Sequence, residues 1–193
     1  YIFLRGRCRY CKAPYSPRYL MVELLTGILF ALCGIYYLPG LKIALVFFFV
    51  ACLIVQAFVD LDYQILLDEI LMLMLPTGII YAYYALPDMW DALYGALFAG
   101  GLMLLIFLLS RGGMGAGDVK LSFVLGVWLG LKASIVCLML AFILGGVIGV
   151  LLLVTGIKQR KDPIPFGPFL CTGAYIALLF SPYLIYFYWS LFV

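Results

Sequence analysis

The sequence predicts an all-α integral membrane protein that crosses the bilayer several times. Of its 193 residues, 67% are hydrophobic and only 11% are charged, whereas a typical soluble domain has about half apolar and about a quarter charged residues. The mean hydropathy is +1.20. The net charge of +3 is small, and we expect the lipid bilayer as a partner and no nucleic acid.

Seven runs of apolar residues predict seven membrane helices, since a helix needs about 20 such residues to cross the bilayer. The runs lie at residues 21–38, 42–60, 69–86, 90–110, 119–131, 133–157 and 167–193. Turns at Pro39-Gly40, Leu86-Pro87-Asp88 and Asp162-Pro163 separate several of them. The fifth run has only about 13 residues, so it either lies in a locally thinned region or continues into the sixth run as one long helix.

The basic residues predict the orientation of these helices. If residues 1–20 are cytoplasmic and the chain changes side at each run, the outer connections hold only Lys42 and Lys132. The inner segments then hold Arg5, Arg7, Arg9, Lys12, Arg18, Arg111, Lys120, Lys158, Arg160 and Lys161. This excess of basic residues on one side is the positive-inside bias, and it predicts that residues 1–20 are cytoplasmic. The apolar runs then make residues 21–193 the membrane domain.

Two carboxyl groups stand at the predicted cytoplasmic ends of runs. Asp60 ends the second run, within VDLDYQILLDE, and Asp118 begins the fifth, after the glycines of GGMGAGDVK. Asp is a favoured N-cap residue, which is a sufficient explanation for Asp118 alone. The same explanation is weaker for Asp60, because a carboxylate at a helix C-terminus meets the negative end of the helix dipole. Asp68 and Glu69 are interpreted as caps of the third helix.

As a pair, Asp60 and Asp118 predict hydrolysis of a peptide bond without a cofactor. When two carboxyls share one proton, one acts as general acid while the other activates water. The chain contains no histidine, which removes Ser–His and Cys–His nucleophiles and histidine-ligated metal hydrolysis. Gly115 and Gly117 would let an extended substrate strand approach the backbone beside Asp118, although an ordinary flexible turn explains them equally well.

Four segments in order resemble the type IV prepilin peptidases, the bacterial membrane aspartic proteases of the GxGD class. They are RCRYCKAPYSPRYLMVELLTG (7–27), VDLDYQILLD (59–68), GMGAGDVK (113–120) and PIPFGPFL (163–170). The resemblance implies that Asp60 and Asp118 are the catalytic pair, with Asp62 as the rival of Asp60. The chain departs from the family pattern at Leu67, where proline is usual, and at Tyr63, where histidine is frequent.

The same resemblance implies the substrate and the cellular location. The protein would remove the basic leader of prepilins or pseudopilins after a glycine, at the cytoplasmic face of the bacterial inner membrane. Many members of the family also methylate the new N-terminus with S-adenosylmethionine. One further span upstream would bring the total to eight. Independently of the resemblance, the predicted cytoplasmic placement of residues 163–168 puts this proline-rich turn near both acids, where we expect it to help shape the substrate groove.

Cys8 and Cys11 form one CxxC pair, which is half of a tetrahedral zinc site. The resemblance implies a second pair upstream, so residues 1–20 would be the remnant of a cysteine-containing domain. We expect zinc only when that second pair is present.

Two other functions remain open from the residues. One is another GxGD protease, such as a preflagellin peptidase or a presenilin-like enzyme. The other is a proton-coupled transporter, which would place acids deep within its spans and often contain an inverted repeat. The acids of this chain lie at the ends of the apolar runs, which favours the protease.

Overall fold

The computed structural model describes residues 6–7, 9–14, 16–110, 113–159 and 163–192, with side chains described as far as residue 186. These residues form six α-helices and no strand longer than an isolated bridge. The helices are α1 (Pro17–Tyr36), α2 (Leu41–Tyr63), α3 (Asp68–Ala85), α4 (Met89–Leu109), α5 (Ala116–Val154) and α6 (Gly167–Phe192). The all-α membrane fold is confirmed.

The chain divides into two compact units, residues 1–50 and residues 51–193. In the first unit, α1 begins where the Ser16 side chain accepts a hydrogen bond from the Arg18 N–H, with Pro17 in the first turn. The rings of Phe30 and Phe47 stack with their centroids 4.6 Å apart, which joins α1 to the start of α2.

The second unit is built around α5, which packs against α3, α4 and α6. Gly95 of α4 faces Gly126 of α5, and a Cβ on Gly95 would lie only 2.5 Å from the Gly126 carbonyl oxygen. The two backbones can approach this closely because neither residue has a side chain. Trp128 joins α5 to α3, because its buried indole N–H donates to the Met74 carbonyl at 2.8 Å.

Helix α5 contains a kink at Gly130, whose backbone has φ 70° and ψ 179°. The second half of the helix starts with its own cap, since the Leu131 N–H donates to Asp91 Oδ1 at 3.1 Å. A side chain at position 130 would collide with the carboxyl group of Asp91 and would be strained by the positive φ. The kink is therefore specified by Gly130 and Asp91 together.

The number of helices differs from the predicted seven. The seven apolar runs are helical over most of their described length, and the fifth and sixth runs form two helical segments, 116–129 and 131–154, which meet at the non-helical Gly130 within α5. Ser122 of the first segment lines a small pocket together with Cys137 of the second, although 15 residues of uninterrupted helix would separate them by about 22 Å. The two segments therefore lie side by side, and the expected fusion into one long element is not observed. Among the described residues, five helices are long and apolar enough to cross a membrane. Helix α3 is not one of these five: it has 18 residues and carries Asp68 and Glu69 in its first turn.

Candidate active site

Asp60 and Asp118 line the same cavity in the second unit. Asp60 lies in the last turn of α2 and Asp118 in the first turn of α5. Their exposed fractions are only 5% and 8%, and the two carboxyl groups are close enough to interact electrostatically. The cavity has a volume of about 620 Å³. Helix ends from distant parts of the sequence thus bring the two predicted carboxyl groups together.

The other walls of the cavity come from three non-helical or helix-end segments. They are residues 64–66 and Asp68 after α2, residues 113–117 before Asp118, and residues 163–166 before α6. Among the described residues that line the cavity, Asp60 is present and its rival Asp62 is not. The Asp62 side chain is exposed.

Asp60 is held by the N-terminus of α6. The backbone N–H of Gly167, the first residue of that helix, donates to Asp60 Oδ2 at 2.9 Å in a buried position. A helix N-terminus attracts a carboxylate because its N–H groups and the helix dipole both favour negative charge. A Cβ on Gly167 would lie 2.6 Å from the same oxygen, so the hydrogen bond depends on the missing side chain.

The predicted topology puts the Pro-Phe-Gly-Pro segment near both acids, but it does not predict that the Gly167 N–H donates a hydrogen bond to Asp60. The preceding residue, Phe166, packs its ring on Phe142 of α5 with centroids 5.3 Å apart. This contact anchors the segment to α5 and thereby places the first turn of α6 beside Asp60. A glycine between Phe166 and Pro168 is consistent with a close approach of some group to the backbone, but nothing in the sequence indicates that this group is Asp60.

Asp118 is held by its own helix start. Gly115 is the N-cap residue of α5, so the alternative in which Asp118 itself is the N-cap is wrong. The Asp118 N–H donates to the Gly115 carbonyl at 3.2 Å, and a Cβ on Gly115 would lie 3.6 Å from Asp118 Oδ2. The Asp118 carboxyl group therefore lies beside the backbone of the residue that begins its own helix.

Gly117 leaves room for the side chain of Leu66. A Cβ at this position would lie 3.1 Å from Cβ of Leu66, in the loop between α2 and α3. The predicted role of Gly115 and Gly117 in the approach of a substrate stays a prediction, and Gly117 has a structural reason of its own in this contact with Leu66.

Two of the residues that line the cavity form an ion pair. Lys120 Nζ lies 2.7 Å from Asp68 Oδ2, and both side chains are about half exposed. Asp68 and Glu69 lie in the first turn of α3, as expected of acids that stabilise a helix start. The N-cap position itself belongs to Leu67, which makes no side-chain cap.

The cysteine pair is only half described. Cys11 is exposed, and Cys8 lies outside the described residues. Within the described part of the chain, no three Cys, Asp or Glu side chains come together in a way that could hold a metal ion. The described residues therefore do not form a zinc site by themselves.

Comparison with known proteins shows similarity along most of the chain. The model of the type IV leader peptidase family matches residues 47–150, and that of the bacterial peptidase A24 N-terminal domain matches residues 1–37. No solved structure matches the chain.

Three curated relatives carry the name prepilin leader peptidase/N-methyltransferase. The protein of Aeromonas hydrophila is 36% identical over 188 residues, which cover 94% of this chain and 64% of that protein. The protein of Legionella pneumophila is 35% identical over 195 residues, covering 97% and 67%. The protein of Bacillus subtilis (strain 168) is 32% identical over 190 residues, covering 97% and 76%. The chain thus spans about two thirds of the length of these relatives.

Proposed function

Because this chain belongs to the type IV leader peptidase family, we propose that it is a membrane aspartic endopeptidase that removes the basic leader of prepilins or pseudopilins after a glycine. The observation that carries the proposal is the convergence of Asp60 and Asp118 on one cavity. Two buried carboxyl groups in contact with solvent through a groove are sufficient for peptide hydrolysis, since they supply an acid and a base.

In the proposed reaction, the two carboxyl groups share one proton and hold a water molecule between them. The ionised carboxyl takes a proton from the water as the oxygen attacks the carbonyl carbon of the scissile peptide. The protonated carboxyl donates its proton to the carbonyl oxygen. When the tetrahedral gem-diol breaks down, the carboxyl that took the proton from water passes it to the amide nitrogen and the C–N bond is cleaved. The other carboxyl takes a proton from a gem-diol hydroxyl as the carbonyl re-forms, so the pair again holds one shared proton.

The hydrogen bonds described above give this reaction a fixed geometry. Gly167 of α6 donates a hydrogen bond to Asp60, and the Asp118 carboxyl group lies beside the Gly115 backbone at the start of α5. Both carboxyl groups are therefore oriented before a substrate binds, which reduces the reorganisation of their side chains on the way to the transition state.

We place the cavity at the cytoplasmic face of the bacterial inner membrane. The positive-inside bias supports this orientation. A prepilin is itself a membrane-inserted helix with a basic cytoplasmic leader, so its scissile bond would lie at the same interface as Asp60 and Asp118.

For the intact protein we also propose methylation of the new N-terminus, with S-adenosylmethionine as the methyl donor. The names of the curated relatives support it, since they include N-methyltransferase. Zinc bound by Cys8, Cys11 and a further CxxC pair would belong to the intact cytoplasmic region.

Incubation of the purified full-length protein with a purified prepilin tests the proposal, with the mass of the substrate measured before and after. We expect loss of the leader at the bond that follows a glycine. Addition of one methyl group to the mature product would support the second activity. A substrate that keeps its full mass would contradict the proposed peptidase, and cleavage at scattered sites would contradict its specificity.

A further inference from the structure

Gln56 is a fully buried polar residue that the reaction described above does not use. It lies on α2 four residues before Asp60, and therefore on the same face of the helix. Its Nε2 donates to the Leu67 carbonyl at 2.9 Å, and its Oε1 accepts from the Leu67 N–H at 2.9 Å. The side-chain amide thus pairs with both polar groups of a single backbone residue.

These two bonds fasten the loop between α2 and α3 at its far end. Leu67 is the N-cap residue of α3 and has no side-chain oxygen with which to cap the helix. At the near end of the loop, Gln64 has φ 56°, which a residue with a side chain adopts only when its surroundings impose it. The conformation of the loop is therefore imposed by its attachments, and Gln56 provides two of them.

The loop in turn touches both carboxyl-bearing helix ends. Residues 64–66 line the cavity together with Asp60 and Asp118. A Cβ on Gly117, the residue before Asp118, would lie 3.1 Å from Leu66 Cβ. A Cβ on Gly167, whose N–H binds Asp60, would lie 3.1 Å from Leu66 Cδ2. Leu66 therefore packs against both segments that hold the two acids.

From this chain of contacts we infer that Gln56 is a positioning residue for peptide hydrolysis: through Leu67 and Leu66 it holds the helix ends that orient Asp60 and Asp118. This role rests on the proposed function. Gln56 touches neither the scissile bond nor the carboxyl pair, so its effect is on the geometry of the pair and not on the chemistry itself.

The substitution Gln56→Met tests the inference, because methionine fills a similar volume and makes neither hydrogen bond. In the full-length protein we expect kcat for a prepilin peptide to fall by about tenfold or more per folded molecule. We expect KM to change by less than about threefold, because most of the groove is formed by other segments. Backbone amide exchange of residues 64–67, measured by mass spectrometry, should become faster.

A matched control is Trp128→Phe. It also removes a buried hydrogen bond from a side chain to a backbone carbonyl, that of Met74, but Trp128 does not line the cavity of Asp60 and Asp118. We expect this variant to lower the thermal stability while kcat per folded molecule and exchange at residues 64–67 stay unchanged. An equal loss of kcat in both variants would overturn the inference, because the effect of Gln56 would then be one of general stability.

A rescue experiment is offered by Leu67, whose φ of −77° lies within the range of proline. Proline has no N–H to leave unpaired when Gln56 is replaced, and its ring restricts the loop. The double variant Gln56→Met with Leu67→Pro should therefore recover most of the lost kcat, and failure to recover it would overturn the inference.

Two outcomes separate this inference from the proposed function. A wild-type protein that cleaves no prepilin would refute the peptidase and the positioning role of Gln56 together, whereas faster exchange at residues 64–67 in Gln56→Met would still show that Gln56 holds the loop. Wild-type kcat in Gln56→Met, with an active wild-type enzyme, would refute the positioning role alone.

Discussion

At the scale of single residues, Gly167 determines whether Asp60 can be held in its observed position. A methyl group at this position would lie 2.6 Å from Asp60 Oδ2, well inside van der Waals contact. Either the carboxyl group or the start of α6 must then move. We expect Gly167→Ala to lower the rate of prepilin cleavage by about 100-fold, which is the order expected for a displacement of about 1 Å at a reacting group.

Gly146 offers the same substitution without the steric conflict. It lies within α5, and nothing stands within 4 Å of a Cβ placed on it. Gly146→Ala should leave the cleavage rate close to that of the wild type, measured with the same prepilin and at equal amounts of folded protein. Full activity of Gly167→Ala would show that the contact with Asp60 has no importance for catalysis.

Residue-level reasoning from the sequence found the two acids but not the groups that hold them. Asp60 and Asp118 stand out because charged residues are rare in an apolar chain. The hydrogen bond from Gly167 joins residues that are 107 positions apart in the sequence, and no local pattern indicates such a contact. Gln56 was missed for a related reason: one glutamine within an apolar run gives no sign of whether its amide finds a partner.

At the scale of elements, the kink of α5 depends on a carboxyl group contributed by α4. Asp91 Oδ1 accepts the hydrogen bond of the Leu131 N–H, the first donor after Gly130. Replacing a helix cap by alanine costs about 1 kcal/mol, so Asp91→Ala should lower the free energy of unfolding by about that amount. Thermal unfolding of the purified protein in detergent measures the change.

Asp91→Asn is the control for this prediction. Asparagine keeps the oxygen that caps Leu131 and loses only the charge, so its loss of stability should be smaller than that of the alanine variant. If Asp91→Ala unfolds at the wild-type temperature, the hydrogen bond to Leu131 does not stabilise the kink.

The seven apolar runs predict the positions of the helical segments well, but not the position of the break between the fifth and the sixth. The composition predicts a connection at Lys132, because a charged residue interrupts the apolar pattern there. In the structure the interruption is confined to the backbone of Gly130, and Leu131 already belongs to the next helical turn. A break of one residue leaves almost no trace in composition, since its cause is a contact with α4.

At the scale of the whole molecule, the order of the motifs along the chain predicts which helix ends lie close together, which no single helix does. The acids of α2 and α5 were expected to meet because the charge distribution put both helix ends on one side of the membrane. The cavity that contains Asp60, Asp118 and the 163–166 segment agrees with this expectation. Which other residues line the cavity, such as the loop residues 64–66, depends on side-chain packing that a hydropathy pattern does not contain.

The central claim is that Asp60 and Asp118 act as one catalytic unit on a single peptide bond. Initial rates of prepilin cleavage by Asp60→Asn, Asp118→Asn and the double variant test it most directly, with folding checked by thermal unfolding. If each acid is useless without the other, each single substitution should abolish cleavage as completely as the two together. Substantial cleavage by either folded single variant, or losses that add up in the double variant, would contradict the claim.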